Sequence, residues 1–157
     1  MGAQTSSETA AVTLRGAAGS VYGRGVLVTE GSGVRLQARF QGLSPGPHGL
    51  HVHACGDLDR GCDAAGAHYN PHGRSHGGPD HSPRHPGDFG NVLADANGDA
   101  RLDLLVPRTR LGALVGRSLV LHRGADDLGR GAPRAESLKT GNSGARLACG
   151  VIAWTGC

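Results

Sequence analysis

The sequence predicts an all-β protein, a sandwich or barrel formed by one domain. Residues 34 to 41, VRLQARFQ, alternate apolar with polar side chains, which is the period of a half-buried strand. The 28 glycines and 8 prolines supply frequent turns. No window of useful length shows the 3.6-residue period of a helix. Short alternating strands separated by Gly/Pro turns are typical of sandwiches and barrels.

Further strands are predicted along the chain between these turns. Asn97-Gly98 is a dipeptide typical of hairpin turns, and it precedes a second alternating run, DARLDL. The remaining candidate strands are residues 11–15, 25–29, 50–54, 118–122 and 148–154.

Two long segments interrupt the strand pattern. Residues 56–87 are full of Gly, Pro, Asp and His, and residues 123–146 are rich in Gly and charged side chains. Structureless loops of this length are uncommon inside a compact domain and are usually functional. We therefore expect the functional site in these two loops.

Composition limits the partners and the location. The net charge is only +3, aromatic residues make up 3%, and no long basic run occurs, so nucleic acid is not an expected partner. No apolar stretch approaches the roughly 18 residues that span a membrane, and no apolar secretory signal opens the chain. Cytoplasmic localisation is therefore expected.

The first residues allow two interpretations. MGAQTS matches the pattern for N-myristoylation at Gly2, and membrane association is expected only if that modification occurs. A single myristoyl chain gives marginal attachment. Alternatively, residues 1–10 form a plain flexible leader ahead of a single domain at 11–157.

The stretch HGLHVHACGD concentrates three of the nine histidines. In a strand, residues i and i+2 face the same side, so His51 and His53 would aim two imidazoles at one point while Val52 enters the core. Neutral imidazole is the commonest metal-ligating side chain. An isolated HxH pattern also fits an ordinary strand that carries histidine.

A second set of histidines makes a metal centre the better interpretation. His68, His76, His85 and Asp88 follow in the first long loop, and three imidazoles with one carboxylate match a tetrahedral Zn²⁺ site. His122 ends the candidate strand SLVLH. With His51, His53 and one shared residue it would supply four nitrogens, a set that suits Cu(II).

At this point the sequence resembles the Cu/Zn superoxide dismutase family. The resemblance is carried, in order, by HGLHVHACGD, GAHYNPHGRSHGG, RHPGDFGNV, LVLHRGADDLGRG and KTGNSGARLACGVI, and it covers nearly the whole chain from about Ala11. The family fold is an eight-stranded Greek-key β-barrel, also describable as an immunoglobulin-like sandwich, with two long functional loops.

The resemblance also implies the site residues. Copper would be bound by His51, His53, His68 and His122, and zinc by His68, His76, His85 and Asp88, with His68 bridging the metals. Asp126 would link one copper-binding and one zinc-binding histidine and so fix their orientation. Cys62 and Cys149 would form an intrasubunit disulfide.

The implied activity is the conversion of superoxide to oxygen and hydrogen peroxide, an antioxidant defence. One copper and one zinc per chain would be the cofactors, with copper alternating between Cu(II) and Cu(I). Arg146 would hold the anion, and together with Lys139 it would guide superoxide to the copper. His68 would carry a proton between the two half-reactions.

Some features depart from the family pattern. The segment Leu105–Gly116 is shorter than usual and lies near the family's dimer contact, as do Cys55 and Trp154. A homodimer is therefore expected with an atypical interface. A Cys55–Cys157 bridge, within or between subunits, is a further hypothesis.

Other functions fit part of the sequence. A mononuclear zinc lyase of the carbonic anhydrase kind would also use HxH, but it would leave the second histidine set and the Cys62/Cys149 pair without a purpose. The dismutase-like domain of a copper chaperone is a non-enzymatic alternative, although no CxxC motif occurs here, and such a chaperone is also an expected partner. A copper-only dismutase is disfavoured because the zinc set is complete.

Overall fold

Nine β-strands form the framework of residues 7–156, the part of the chain that the computed structural model describes. They are β1 (Thr9–Arg15), β2 (Val21–Glu30), β3 (Gly33–Phe40), β4 (Gly46–His53), β5 (Asp88–Ala94), β6 (Ala100–Val106), β7 (Ser118–His122), β8 (Arg146–Val151) and β9 (Ala153–Trp154). The helical pieces are a 3₁₀ turn (Cys62–Ala65), α1 (Leu111–Leu114) and α2 (Arg134–Thr140). None of these helices is long and apolar enough to span a bilayer.

The strands form one antiparallel sheet that curls into a nearly closed barrel. Their order is β5-β4-β7-β8-β1-β2-β3-β6, with the short β9 added beside β1. The two end strands, β5 and β6, lie in contact. Neighbours such as β4 and β7 are distant in sequence, which is the Greek-key pattern. The predicted eight-stranded Greek-key barrel is confirmed, and β9 is a two-residue addition.

Alternation along the strands separates the core from the surface, as predicted. In β3, Val34, Leu36, Ala38 and Phe40 are buried, whereas Gln37 and Arg39 are exposed. Val52 of β4 lies in the same core. The two histidines that flank Val52 therefore sit on the opposite face of the strand.

Several boundaries differ from the prediction. Strand β1 begins at Thr9, within the predicted leader, because Ala10 packs in the core. The candidate strand at 148–154 is two strands, since Ile152 separates β8 from β9. Strand β5 was not predicted. Its alternation is broken by Gly90, which has a positive φ of 76°, and by the buried carboxylate of Asp88.

The turn at Asn97-Gly98 forms as predicted, but the strands on either side of it, β5 and β6, pair with other strands and are the two ends of the sheet.

Both long segments connect neighbouring strands of the barrel. The first long segment contains only the 3₁₀ turn, whereas the second holds the two-turn helix α2, which the sequence did not predict. Helix α2 is too short for its period to be recognised.

Candidate metal centre

Four buried histidines converge on the face of β4 that points away from the core. His51 and His53 come from β4, His122 ends β7, and His68 lies on the first long segment. Each ring offers a nitrogen, and these nitrogens all lie within 4.8 Å of one another. The sequence predicted this group.

Backbone hydrogen bonds bring the first long segment back to β4. Residue 68 forms an isolated antiparallel bridge with His53. On either side of it, the Tyr69 amide donates to the Val52 carbonyl and the Ala54 amide donates to the Ala67 carbonyl, both at 2.9 Å. This pairing places His68 beside the β4 histidines.

The hydrogen bonds of His53 and His122 fix their tautomers. Their Nδ1–H groups donate to the carbonyl oxygens of Gly66 at 2.8 Å and Gly144 at 2.9 Å. A carbonyl can only accept, so each neutral ring keeps a lone pair on Nε2. The two Nε2 atoms face each other at 3.3 Å. Two lone pairs at that distance repel unless a cation lies between them.

His51 supplies a third lone pair. Its Nε2–H donates to Asp126 Oδ2 at 2.7 Å, while its buried Nδ1 has no hydrogen-bond partner among residues 7–156. An unpaired buried acceptor costs about 1–3 kcal/mol. These residues therefore fit a bound metal cation.

Burial keeps the three rings neutral, which is the form that binds metals. It lowers the pKa of His51 to about 3, that of His53 to about 2 and that of His122 to about 4. Positive charge on neighbouring rings lowers each pKa further.

A second group has the spacing of a tetrahedral site. Asp88 Oδ1 lies 2.9 Å from His76 Nδ1, 3.3 Å from His85 Nδ1 and 3.6 Å from His68 Nδ1. The Nδ1 atoms of His68 and His85 are 3.2 Å apart. Zinc–nitrogen bonds of about 2.0–2.1 Å in a tetrahedron require ligands about 3.3 Å apart. The donor set and its spacing therefore fit Zn²⁺.

Hydrogen bonds also hold the ring and carboxylate atoms of this second group that face away from its centre. His76 Nε2–H donates to Asp126 at 2.7 Å, and His85 Nε2–H donates to the Arg74 carbonyl at 2.9 Å. The second oxygen of Asp88 accepts the amides of Gly77 at 3.0 Å and His85 at 2.8 Å. Each Nδ1 is thus left to face the centre of the group.

The charges of the second group match a cation. Burial raises the pKa of Asp88, but hydrogen bonds from the three histidines outweigh it and hold that pKa well below its usual range. Burial lowers the pKa of His76, yet Asp126 and Asp88 outweigh it and raise the pKa to about 9. Without a metal, a proton on His76 supplies the positive charge that the two carboxylates require.

Among the described residues, only His68 belongs to both groups. Its Nδ1 lies on the Asp88 side, and its Nε2 forms no hydrogen bond with residues 7–156. One imidazole thus stands between two sites, each through a different nitrogen.

Asp126 connects the two groups a second time. Its Oδ2 accepts from His51 and its Oδ1 from His76, as the resemblance implied. Burial raises its pKa, but these two hydrogen bonds outweigh it and lower the pKa to about 2. The side chain of Asn91 in β5 holds Asp126 in place: its Oδ1 accepts from the Asp126 amide at 2.7 Å, and its Nδ2 donates to the Asp126 carbonyl at 2.9 Å. Sequence reasoning missed Asn91, because β5 was not recognised.

The second long segment is fixed by the side chain of Asp127, which the sequence analysis did not single out. Its oxygens accept from the Gly129 amide, the Ser137 hydroxyl and the Asn142 side chain at 2.7–3.0 Å. These contacts hold both ends of α2. Gly141 closes the helix with a φ of 73°, and a Cβ there would collide with Asp126 and His76.

A cleft leads from the surface to the first group. Its wall contains His53, His68 and His122, and its mouth carries Lys139, Arg146 and Glu136. Arg146 pairs with His122 across β7 and β8. Its guanidinium donates to the carbonyls of Cys62 at 2.8 Å and Gly66 at 2.6 Å. The predicted charges Lys139 and Arg146 are thus both present.

Other predicted residues have mixed outcomes. The Cys62–Cys149 disulfide is formed and joins the first long segment to β8. Arg130 and Arg134, although they lie on the second long segment, do not line the cleft. His81 is half-buried and contacts Arg130 Nη2 at 3.0 Å. Gly2 and Cys157 lie outside the described residues, so their hypotheses stay predictions.

Comparisons with known proteins agree on one protein family. The family model for copper/zinc superoxide dismutase matches residues 23–152. The chain is 49% identical over 146 residues to the copper chaperone for superoxide dismutase of Sus scrofa, covering 92% of this chain and 53% of that protein. It is 41% identical over 154 residues to the extracellular superoxide dismutase [Cu-Zn] of Brugia pahangi, covering 95% and 77%. The chain therefore spans about half the length of the chaperone relatives.

A solved structure shows the same fold. The crystal structure of the clock protein EA4 superposes with a TM-score of 0.87 at 38% identity, and the match covers 98% of both chains.

Proposed function

The chain belongs to the copper/zinc superoxide dismutase family, and we propose that it is a catalytically active member. It would convert superoxide to oxygen and hydrogen peroxide, with one copper and one zinc per chain. The copper chaperone relatives match the same sequence, so family membership alone leaves activity open. The proposal rests on the site.

We propose that His51, His53, His68 and His122 hold copper, and that His68, His76, His85 and Asp88 hold zinc. The convergent lone pairs of the first group and the tetrahedral spacing of the second support this assignment. Bound copper supplies one-electron chemistry by alternating between Cu(II) and Cu(I), while zinc keeps its oxidation state.

The cleft residues would deliver and hold the substrate. Superoxide is a small anion, and positive potential in a cleft raises encounter rates by about 10–10³-fold. Lys139 and Arg146 supply that potential at the mouth, against one carboxylate, Glu136. The carbonyls of Cys62 and Gly66 hold the Arg146 guanidinium beside the histidines, where it can bind the anion.

His68 is the residue best placed to move a proton. Its Nδ1 is directed to the second group, the residue lines the cleft, and its Nε2 has no protein partner among residues 7–156. Nε2 would hold a proton only while it does not ligate copper, and it would then give that proton to the reduced substrate. Asp126 would keep the neighbouring rings fixed during this transfer.

The single observation that carries the proposal is the complete first histidine group at the base of an open cleft that carries Arg146. The test is superoxide dismutation by protein loaded with one copper and one zinc per chain. We expect fast dismutation that is lost in His122→Ala and kept in His72→Ala, which removes an exposed histidine outside both groups. Full metal loading with no dismutation in the unmodified protein would contradict the proposal.

Copper delivery is the second candidate function, favoured by the 49% identity to the chaperone of Sus scrofa. A carrier would release copper to a metal-free dismutase, so the loaded protein should then activate that acceptor while showing no dismutation itself. A mononuclear zinc lyase is not supported, because it leaves the second group without a role. Homodimer formation and cytoplasmic localisation stay predictions.

A further inference from the structure

The barrel carries a row of three arginines on its outer surface, away from the metal centre. Arg24 of β2 is paired directly with Arg39 of β3, and Arg39 is paired directly with Arg101 of β6. All three side chains are exposed. Directly opposed residues of antiparallel strands project on the same face, about 4.5–5.5 Å apart at Cβ. The three positive charges are therefore adjacent.

None of the three has a compensating partner. Within residues 7–156, Arg24, Arg39 and Arg101 form neither an ion pair nor a side-chain hydrogen bond. By contrast, Arg35 on the same face of β3 pairs with Glu30 at 2.6 Å and with Asp103 at 2.7 Å. Asp103, two residues beyond Arg101 in β6, is thus already paired with Arg35. Like charges directly opposite each other destabilise a sheet.

The row lies in a concave surface. This surface is lined by the three arginines together with Thr13, Gln37, Gln41 and Asp103, over small or apolar residues of β1, β2, β3 and β6. The Asp103 carboxylate lies at its edge and is paired with Arg35. The concave surface shares no lining residue with the metal cleft. Guanidinium groups bind phosphate oxygens through paired hydrogen bonds, which are stronger than neutral ones. The surface therefore offers both shape and charge for an anion.

We propose that the Arg24–Arg39–Arg101 row binds a compact oligophosphate, either free or as the phosphate chain of a nucleotide. The size follows from the strand spacing, because three neighbouring strands span about 10 Å. The sequence of β6 sets the limits on either side. Asp99 precedes Arg101 by two residues and Asp103 follows it by two, and both are exposed.

The acidic borders favour a compact ligand over a polymer. A nucleic acid strand or an anionic membrane extends beyond the row and would meet Asp99 or Asp103. A di- or triphosphate fits between them and places its charges against all three arginines. Its binding also removes the repulsion within the row.

The test is calorimetric titration of the metal-loaded protein with inorganic tripolyphosphate and, separately, with ATP. We expect saturable binding that weakens with salt. Arg39→Gln removes the central charge and should weaken binding about ten- to hundredfold, because each charge-assisted contact contributes at least a factor of ten. Arg110→Gln removes an exposed arginine elsewhere and should leave the affinity within about twofold of the original.

The two ligands distinguish the source of the phosphate. Tighter binding of ATP identifies a nucleotide whose base rests on the apolar floor, and equal binding identifies free oligophosphate. Both ligands can chelate metal ions, so the metal content of the protein is measured after each titration. Chelation is the same in every variant.

Three outcomes would overturn the proposal. The first is the absence of saturable binding up to about 1 mM, the weak limit of a specific site. The second is binding that survives Arg39→Gln but is lost in Lys139→Gln, which places the anion in the metal cleft. The third is a single-stranded oligonucleotide that binds more tightly than tripolyphosphate with the same dependence on Arg39.

Discussion

Apart from the bridging His68, each residue of the metal centre has one nitrogen or oxygen for the metal and another for the protein. Gly66, Gly144 and Arg74 offer backbone carbonyls, and Asp126 offers a carboxylate shared by two rings. These contacts select the tautomer before any metal binds. Partners of this kind typically change metal affinity by about 10–100-fold when they are lost.

Asp126→Asn is expected to weaken both metal sites. An amide oxygen can still accept one ring N–H, but the amide nitrogen would meet the second N–H donor to donor. Copper and zinc affinities should each fall by about 10–100-fold, measured by competition with a chromophoric chelator. Asp63→Asn removes an exposed carboxylate of the first long segment and serves as the control. Unchanged affinity for both metals would show that Asp126 does not orient the rings.

Arg146→Gln is expected to slow dismutation at unchanged metal content. The substitution removes the fixed cation beside the histidines, so kcat/KM should fall by about tenfold and its dependence on ionic strength should flatten. Lys139→Gln removes a charge that forms no hydrogen bond with residues 7–156, and it should have the smaller effect. A larger effect of Lys139→Gln would contradict the role of Arg146 in holding the anion.

At the scale of elements, the metal centre depends on segments that are tied to the barrel at a few points. The disulfide joins the first long segment to β8. Asp127 fixes α2. Arg84 is buried and donates to the carbonyls of His85, Pro86 and Pro107 and to the Thr109 hydroxyl. It therefore joins the zinc group to the unusual Leu105–Gly116 segment.

Arg84→Met is expected to destabilise the protein and weaken zinc binding. The change leaves several buried acceptors without a donor, so the free energy of unfolding should fall by about 2–4 kcal/mol in urea titration. Arg110→Met alters an exposed arginine of the same segment and should change it by less than about 0.5 kcal/mol. A stable Arg84→Met protein with full zinc affinity would show that the buried charge costs as much as its contacts contribute.

Cys62→Ser is expected to remove most of the loop constraint in the unfolded chain. The disulfide links residues separated by 87 positions, and closing a loop of that length stabilises by about 4–5 kcal/mol in the chain-entropy model. The urea midpoint should therefore fall strongly. Cys55→Ser, which changes the exposed cysteine outside the disulfide, should match the unmodified protein. A comparable loss in both variants would show that the thiol environment, not the bond, stabilises the fold.

At the scale of the whole molecule, burying so many ionisable groups makes the metal-free protein sensitive to pH. In the folded protein, the rings of His51, His53 and His122 resist protonation, whereas the ring of His76 favours it. Metal ions would take over the positive charge that the carboxylates require, so loading with metal and pH act on the same groups.

The metal-free protein should be most stable near pH 6.5. His51, His53 and His122 have folded pKa values of about 3, 2 and 4, against about 6.5 when unfolded. The unfolded chain therefore binds more protons below about pH 6.5, and stability falls as the pH drops towards 4. The pKa of His76 is raised to about 9, so its contribution is complete below about pH 6.5 and is lost as the pH rises through 9. Urea titrations at acidic, near-neutral and alkaline pH measure this, and a flat profile would contradict it.

Local sequence patterns were enough to predict the strand alternation, the two long segments and the residue types of the metal centre. Alternation is a local property, and the ligand motifs are contiguous stretches such as HGLHVH, so both can be read without knowing which strands pair. Strand β5 escaped because Asp88 and Gly90 interrupt its pattern, and α2 escaped because two turns are too few to show a period.

Only the tertiary structure decided which atoms face each other. The tautomers depend on the carbonyls of Gly66 and Gly144, the position of Asp126 depends on Asn91, and the arginine row depends on the register of β2, β3 and β6. These contacts join residues far apart in the chain. Their geometry is set by barrel closure and loop packing, which no local pattern encodes.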